Sequence, residues 1–297
     1  MFTLTDIAIN GSEELFIAAV IDDFSDESPD HCMIFRRSKG EYRQRLLDHS
    51  VARIVVSGSP GGGVFFLGTS GVSTHADTNG IRSEVVDSSD DGPSSLVIFR
   101  DAEFINGKIV ACGMARMVYE RNVNAEWHRM DEGVFLPRAS RDRAVGFHAL
   151  SHDGSGGILF VGQYGEIWRR FDGNWSKFDS PTNVALTDIA VHPDGRFMAC
   201  GMGGTLLVCE NNGWLNIPSD FDRDFWSVCE FNGDFYLASS DSVFRVGWGG
   251  ELSPVLVGVS TGRLVAGFGV LWSLGSKGVY STADGVAWDK LLFPFEL

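Results

Sequence analysis

Two stretches of this chain superimpose without a gap. GILFVGQYGEIWRRFDGNW (157–175) laid on RFMACGMGGTLLVCENNGW (196–214) puts Gly162, Gly165, Ile167 and Trp175 on Gly201, Gly204, Leu206 and Trp214, 39 residues later. A repeat of this period is a supersecondary unit that cannot bury its apolar face alone, so it specifies an array of stacked copies. The unit reads as an apolar strand, a tight Gly-x-x-Gly turn, a second strand and an Asp/Asn-Gly hairpin into a third. The tight turn recurs as Gly68/Gly71 and Gly275/Gly278, keeps Gly113 but has Arg116 in the third unit, spans 238–241 in the sixth, and gives way to a long insertion in the first.

In six of the seven units the hairpin before the last strand carries a glycine-containing pair, Lys39-Gly40, Asn79-Gly80, Asp172-Gly173, Asn212-Gly213, Gly249-Gly250 and Asp284-Gly285, where glycine supplies the positive φ of such turns. Each unit therefore reads as four short strands; in the fifth they are TDIAVH, RFMACG, TLLVCE and WLNIP. Units begin near residues 1, 51, 97, 146, 186, 225 and 262, which makes seven. The predicted fold is all-β: one domain, 1–297, forming a seven-bladed β-propeller with four antiparallel strands per blade. The blades are expected at about 1–50, 51–96, 97–145, 146–185, 186–224, 225–261 and 262–297. The first and last units each contain all four of their strands, so closure is expected by side-chain packing between them and not by strand exchange. The composition agrees, since 36 Gly and 22 Phe suit repeated turns and packed sheets, and no stretch has a helical apolar period.

A formal charge of -15 argues against a phosphate-binding surface, so nucleic acid is not expected as a partner and a basic protein is. The 5 cysteines contain no Cys-x-x-Cys pair, which favours small buried residues in a reducing compartment over disulfides or zinc. The N-terminal segment MFTLTDIAINGSEELFIAAVIDD has no basic region, carries Asp6 and breaks its apolar run at 11–14. No export signal is read there, and no apolar run reaches the roughly 18 residues that would span a bilayer, so a cytoplasmic location and no membrane partner are expected.

STADGVAW (281–288) resembles the Asp-box of BNR-type repeats, although Asp284 sits one place later than that pattern has it. FDGNW (171–175) resembles the equivalent turn of bacterial photosystem-assembly-factor-like propellers, and the turns at Gly162/Gly165 and Gly201/Gly204 fit the same families. As repeat grammar the resemblance covers most of the chain and is plainest in the last four blades. It implies the propeller fold. It implies no particular chemistry, because that superfamily includes sialidases, lyases and scaffolds.

Aligning the innermost strands puts one polar residue in each blade: Asp6, Arg53, Arg100, His148, Asp188, Ser227 and Arg263. One reading is an axial pocket in which three guanidiniums grip an anion and His148 moves a proton. The other, preferred here because structural networks produce the same clusters, is a belt of ion pairs, Arg263 with Asp6 with Arg53 and His148 with Asp188. A sialidase would have six blades and a Phe-Arg-Ile-Pro motif, whereas the nearest string here is IFRR (34–37). No nucleophile elbow, phosphate loop or dinucleotide fingerprint occurs, so no catalytic residue and no cofactor are assigned. The remaining histidines lack metal-ligand spacing and 22–30 lacks the alternation of a calcium loop, so no metal is expected.

Long loops at 21–31, 87–95 and 131–143 are expected on one face. They concentrate Asp22, Asp23, Asp26, Glu27, Asp30, Asp87, Asp90 and Asp91, and the connection into the sixth blade adds Asp220, Phe221, Asp222, Asp224, Phe225 and Trp226. Acids interleaved with aromatic anchors suit capture of a basic protein, while the plainer account is solubility. The expectation is a non-enzymatic protein-binding propeller, most concretely an intracellular inhibitor or immunity-type protein that captures a basic toxin or enzyme through its acidic loops. The alternatives are a propeller hydrolase or lyase acting on an anionic sugar or lactone at the polar ring, and an assembly scaffold.

Overall fold

A computed structural model describes residues 1–22, 30–57, 62–96, 98–137, 144–210, 213–247 and 249–294. It contains seven sheets of four consecutive antiparallel strands, and the chain is a seven-bladed β-propeller with almost no helix. The first blade is Phe2–Ile9, Glu14–Ile21, Cys32–Ser38 and Glu41–Leu47 (β1–β4). Val51–Val56, Val64–Gly68, Val72–Asp77 and Gly80–Val85 (β5–β8) form the second, and Phe99–Ile105, Lys108–Gly113, Val118–Arg121 and Trp127–Arg129 (β9–β12) the third. The fourth is Phe147–His152, Ile158–Gly162, Ile167–Phe171 and Asn174–Lys177 (β13–β16), and the fifth Leu186–Val191, Phe197–Gly201, Leu206–Glu210 and Gly213–Asn216 (β17–β20). The sixth is Ser227–Phe231, Asp234–Ala238, Ser242–Val246 and Leu252–Val257 (β21–β24), and the seventh Arg263–Gly267, Val270–Gly275, Gly278–Thr282 and Asp289–Lys290 (β25–β28). Each sheet uses its own four strands in chain order, so no strand is exchanged.

The second strands are the most apolar because they are covered on both faces. Val64–Gly68 and Ile158–Gly162 are buried at every position, and a short uninterrupted apolar run is what such a strand requires. The fourth strands are the most exposed, as in Gly80–Val85. Apolar side chains of one blade pack on the next: Leu159, Val161 and Ile167 share a core with Leu186, Leu207 and Trp214. Likewise Met198 and Leu206 join Phe225, Phe235 and Leu237.

The chain divides into two compact units, Met1–Gly146 with Phe293–Leu297, and Phe147–Leu292. In each unit the first strands of successive blades lie beside one another. The C-terminal stretch joins the first unit, where the Phe293 ring lies 5.8 Å from that of Tyr42 on β4.

The tight turns between second and third strands pack on the connections between blades. Met202 N–H donates to the Ala185 carbonyl (3.0 Å) and Phe225 N–H to the Gly201 carbonyl (3.1 Å). Gly204 has φ +71°, and a Cβ there would overlap the Phe221 carbonyl oxygen, so the turn demands glycine twice over.

Candidate functional site

In five blades the first strand gains one residue at its start. The pairing jumps from Leu4 to Asp6, Val51 to Arg53, Phe99 to Asp101, Phe147 to Ala149 and Leu186 to Asp188. These β-bulges re-aim the following side chain. The residue paired one place before the turn glycine (or its counterparts Ala19 and Ser239) is therefore Asp6, Arg53, Asp101, Ala149, Asp188, Ser227 and Arg263 in turn. This corrects the sequence alignment at two blades: Asp101 and Ala149 occupy the row, whereas Arg100 and His148 are the extra residues. Arg100 is exposed.

Within the first unit the Asp6 carboxylate is buried and accepts the Ile54 N–H of the next blade (2.6 Å). Arg53 lies between two acids, with Nη1 3.0 Å from Asp6 and Nε 2.6 Å from Asp101. In the second unit Asp188 accepts Ser227 Oγ–H (2.7 Å) and Val228 N–H (3.0 Å), and Arg263 Nη1 is 3.6 Å away. Ser227 Oγ in turn accepts the Leu264 N–H of blade seven (3.2 Å). One interaction thus repeats: a row side chain accepts the backbone N–H one residue past the next blade's row position. Such contacts register neighbouring blades.

The extra residue has its own recurring partner. Thr187 Oγ1 donates to the Phe225 carbonyl (2.6 Å), and His148 Nδ1 bonds the Leu186 carbonyl (3.0 Å) at the equivalent place one blade earlier. A carbonyl only accepts, so Nδ1 carries the proton; Nε2 then accepts from the Gln163 amide (3.1 Å). His148 is held at both ring nitrogens. The chain itself carried a signal for this arrangement: an apolar residue two places before the row position, as in Leu4, Val51, Phe99, Phe147, Leu186 and Phe225.

The turn-and-connection end carries the acids. In the first unit Asp22 accepts Thr3 Oγ1–H (2.7 Å), and Asp30, Asp90 and Asp91 are exposed. Asp23, Asp26 and Glu27 lie outside the described residues. Asp87 is half-buried and accepts Tyr119 O–H (2.5 Å) and Ser89 N–H (2.8 Å). Burial opposes its charge, but these donors outweigh it and hold the carboxyl below its usual range. Asp131, opening the third long loop, is buried; it accepts Arg129 Nε–H (2.9 Å) and Val118 N–H (3.1 Å), and burial still pushes its pKa up. Residues 138–143 of that loop lie outside the described residues.

In the second unit Asp220 and Asp222 are exposed, and Asp224 accepts the Gly203 N–H (2.9 Å). The aromatics expected there as surface anchors divide. Phe225 is fully buried in the core between blades five and six, because it fills the same apolar position as Phe147 and Leu186. Phe221 stacks on it with centroids 4.6 Å apart and is covered by Arg223, 4.9 Å over the ring. Only Trp226 of the three is substantially open, at 43% exposure. Two further exposed side chains at this end were not singled out from sequence, Tyr164 and Met202 at the tips of the turns of blades four and five. The signal at Tyr164 is a bulky residue with φ +59° where Gly203 stands one blade on.

All five cysteines are free, and burial pushes the Cys32 and Cys229 thiols up to about 12. No helix among the described residues is long and apolar enough to cross a membrane.

No family model matches the chain. Solved structures similar to it include YCF48 bound to D1 peptide, with a TM-score of 0.68 at 16% identity, covering 94% of this chain and 91% of that one. The WD40 β-propeller domain of Doa1 superimposes with a TM-score of 0.69 at 9% identity over 93% of this chain and 90% of that one. At such identities the likeness is one of fold. Immune protein Tsi7 of Pseudomonas aeruginosa is 32% identical over 286 residues, which is 93% of this chain and 92% of Tsi7. A match of that identity along nearly the whole of both chains places this propeller in the family of immune protein Tsi7.

Proposed function

We propose that the chain is a non-enzymatic immunity protein that binds and neutralises a basic toxin, in the cytoplasm of the cell that makes it, through the acidic turn-and-connection end of its blades. The observation that carries the reading is the near full-length match to an immune protein. The formal charge of -15 supports a basic partner, since opposite charge steers encounter and rejects acidic competitors. The exposed acids Asp30, Asp90, Asp91, Asp220 and Asp222 supply charge at that end, and Trp226 supplies an aromatic anchor. Asp22, Asp87 and Asp224 are themselves engaged in hydrogen bonds within the chain. YCF48, a propeller of the same fold, was solved with a peptide bound, which agrees with a binding role. The enzyme alternative gains no support from His148, whose two nitrogens are occupied.

The test is growth rescue and binding with the product of the reading frame next to this one. Co-expression of the chain is expected to restore growth, and the purified pair to form a complex. Charge reversal at Asp90 and Asp91, or at Asp220 and Asp222, should weaken that complex about tenfold or more, because like charges then face the partner. No rescue with a toxic neighbour would overturn the immunity reading. Rescue with an unchanged complex in both reversed variants would overturn the acidic-end reading alone.

A further inference from the structure

Blades one and two enclose a cleft of about 520 Å³, within the size range of small-ligand sites. Residues paired across antiparallel strands point to the same face of the sheet. Arg36 pairs with Arg43, Ile34 with Arg45, and Phe16 with Arg36, so three guanidiniums share a face with two apolar side chains. Phe66 of blade two closes the floor, its ring 6.1 Å from that of Phe16. Phe16, Ile34 and Phe66 are buried, whereas Arg36, Arg43 and Arg45 are exposed.

The charges in this cleft are unevenly satisfied. Arg36 is held by Glu14 (Nε to Oε1 2.6 Å), and Asp77 on the opposite edge is taken by Arg82 (2.6 Å) and the Asn79 N–H (2.7 Å). Among the described residues the Arg43 and Arg45 guanidiniums have neither an ion pair nor a hydrogen bond. In a chain with 39 acids for 24 Lys and Arg, two neighbouring guanidiniums without an acid are the exception. Arg43 also lies directly across from Arg36, a like-charge pair that a bound anion would relieve.

We propose that this cleft binds an amphiphilic organic anion, a carboxylate or sulfonate on an apolar body, with Arg43 and Arg45 gripping the charge and Phe16, Ile34 and Phe66 receiving the body. Guanidinium and carboxylate match geometrically as paired donors and acceptors. The cleft reaches Asn10, Gly63 and Thr78, at the first-to-second and third-to-fourth strand turns, so it opens at the other end of these blades from the acidic connections. On the proposed reading it therefore lies away from the toxin-binding end.

Fluorescence titration of the full chain with anilinonaphthalene sulfonate tests this. Saturable binding at one site is expected, weakened about tenfold or more in the double variant Arg43→Gln/Arg45→Gln, since a hydrogen bond to a charged group contributes about 1.5–3 kcal/mol. Both side chains are exposed, so the thermal midpoint should not move. Decanoate should displace the dye, and inorganic phosphate should not. Equal affinity in the double variant, absence of saturable binding, or displacement by phosphate as effective as by decanoate would each overturn the proposal.

Discussion

Asp188 receives a hydroxyl, a backbone N–H and a guanidinium from the two blades that follow its own. Truncation to alanine would leave the buried Ser227 hydroxyl and Val228 N–H without their acceptor and take the carboxylate away from Arg263. Asp188→Ala is expected to destabilise the protein by about 3 kcal/mol in urea unfolding, with Asp188→Asn costing less because an amide oxygen can still accept. Asp153 makes a different prediction. It accepts Ser155 N–H (2.8 Å), Gly157 N–H (2.7 Å) and Arg169 Nε–H (2.7 Å). Burial opposes its charge, but those donors outweigh it and leave the carboxyl below its usual value of 3.8. A folded-state pKa below the unfolded one means that the unfolded chain binds the proton first. The stabilisation from Asp153 is therefore complete above the unfolded value and is lost as pH falls through the folded one. Asp153→Asn should lower the urea midpoint at neutral pH and flatten its fall on acidification below about pH 5, and parallel curves for the two proteins would refute this.

The turn between second and third strands is the element the sequence displays most openly, because its geometry excludes side chains. Gly204→Ala combines a left-handed backbone with overlap on the Phe221 carbonyl, and should cost about 2–4 kcal/mol. Gly203→Ala has φ +59° but open space, and should cost only about 1–2 kcal/mol. Tyr164 occupies that same slot in blade four, so Tyr164→Gly should raise the thermal midpoint slightly; a fall would mean that its ring contributes more than its backbone costs. Where geometry leaves such a mark, reading the fold is direct: the turn glycines led to four strands per blade and to seven blades. The inner row was less legible. A bulge adds one residue without any obligatory residue type, so Arg100 and Asp101 compete for one position and their polarity does not separate them. The burial of Phe225 is masked in the sequence for a related reason. The acids at 220, 222 and 224 suggested a solvated loop, while its alignment with Phe147 and Leu186 marked a core position. The cleft of blades one and two depends on cross-strand pairing of Arg36 and Arg43, which requires the register and not merely the presence of strands.

On the proposed reading, and across the whole molecule, the charge of -15 would act before contact with a basic partner and the contacts after it. The summed field of many carboxylates raises the encounter rate with a basic partner and is screened by salt over roughly 10 Å at 0.1 M. Exposed acids such as Asp90 and Asp91 would then belong to this regime, since a charge with its own hydration loses little when a complex separates. Trp226 would belong to the other, because an aromatic ring half in solvent gains its stabilisation only once water is expelled from around it. The two contributions should separate kinetically by surface plasmon resonance with the cognate toxin. Reversing Asp90 and Asp91 should lower kon about tenfold at low salt, shrink its dependence on ionic strength and leave koff nearly constant. Trp226→Ala should leave kon and its salt dependence unchanged and raise koff at least about fivefold, the equivalent of roughly 1 kcal/mol. If the acidic reversals instead raise koff while kon holds, those carboxylates make desolvated contacts in the interface and the field is not what recruits the partner. If Trp226→Ala is silent in both rates, the aromatic anchor lies elsewhere at that end, and Tyr164 and Met202 are the exposed side chains to substitute next.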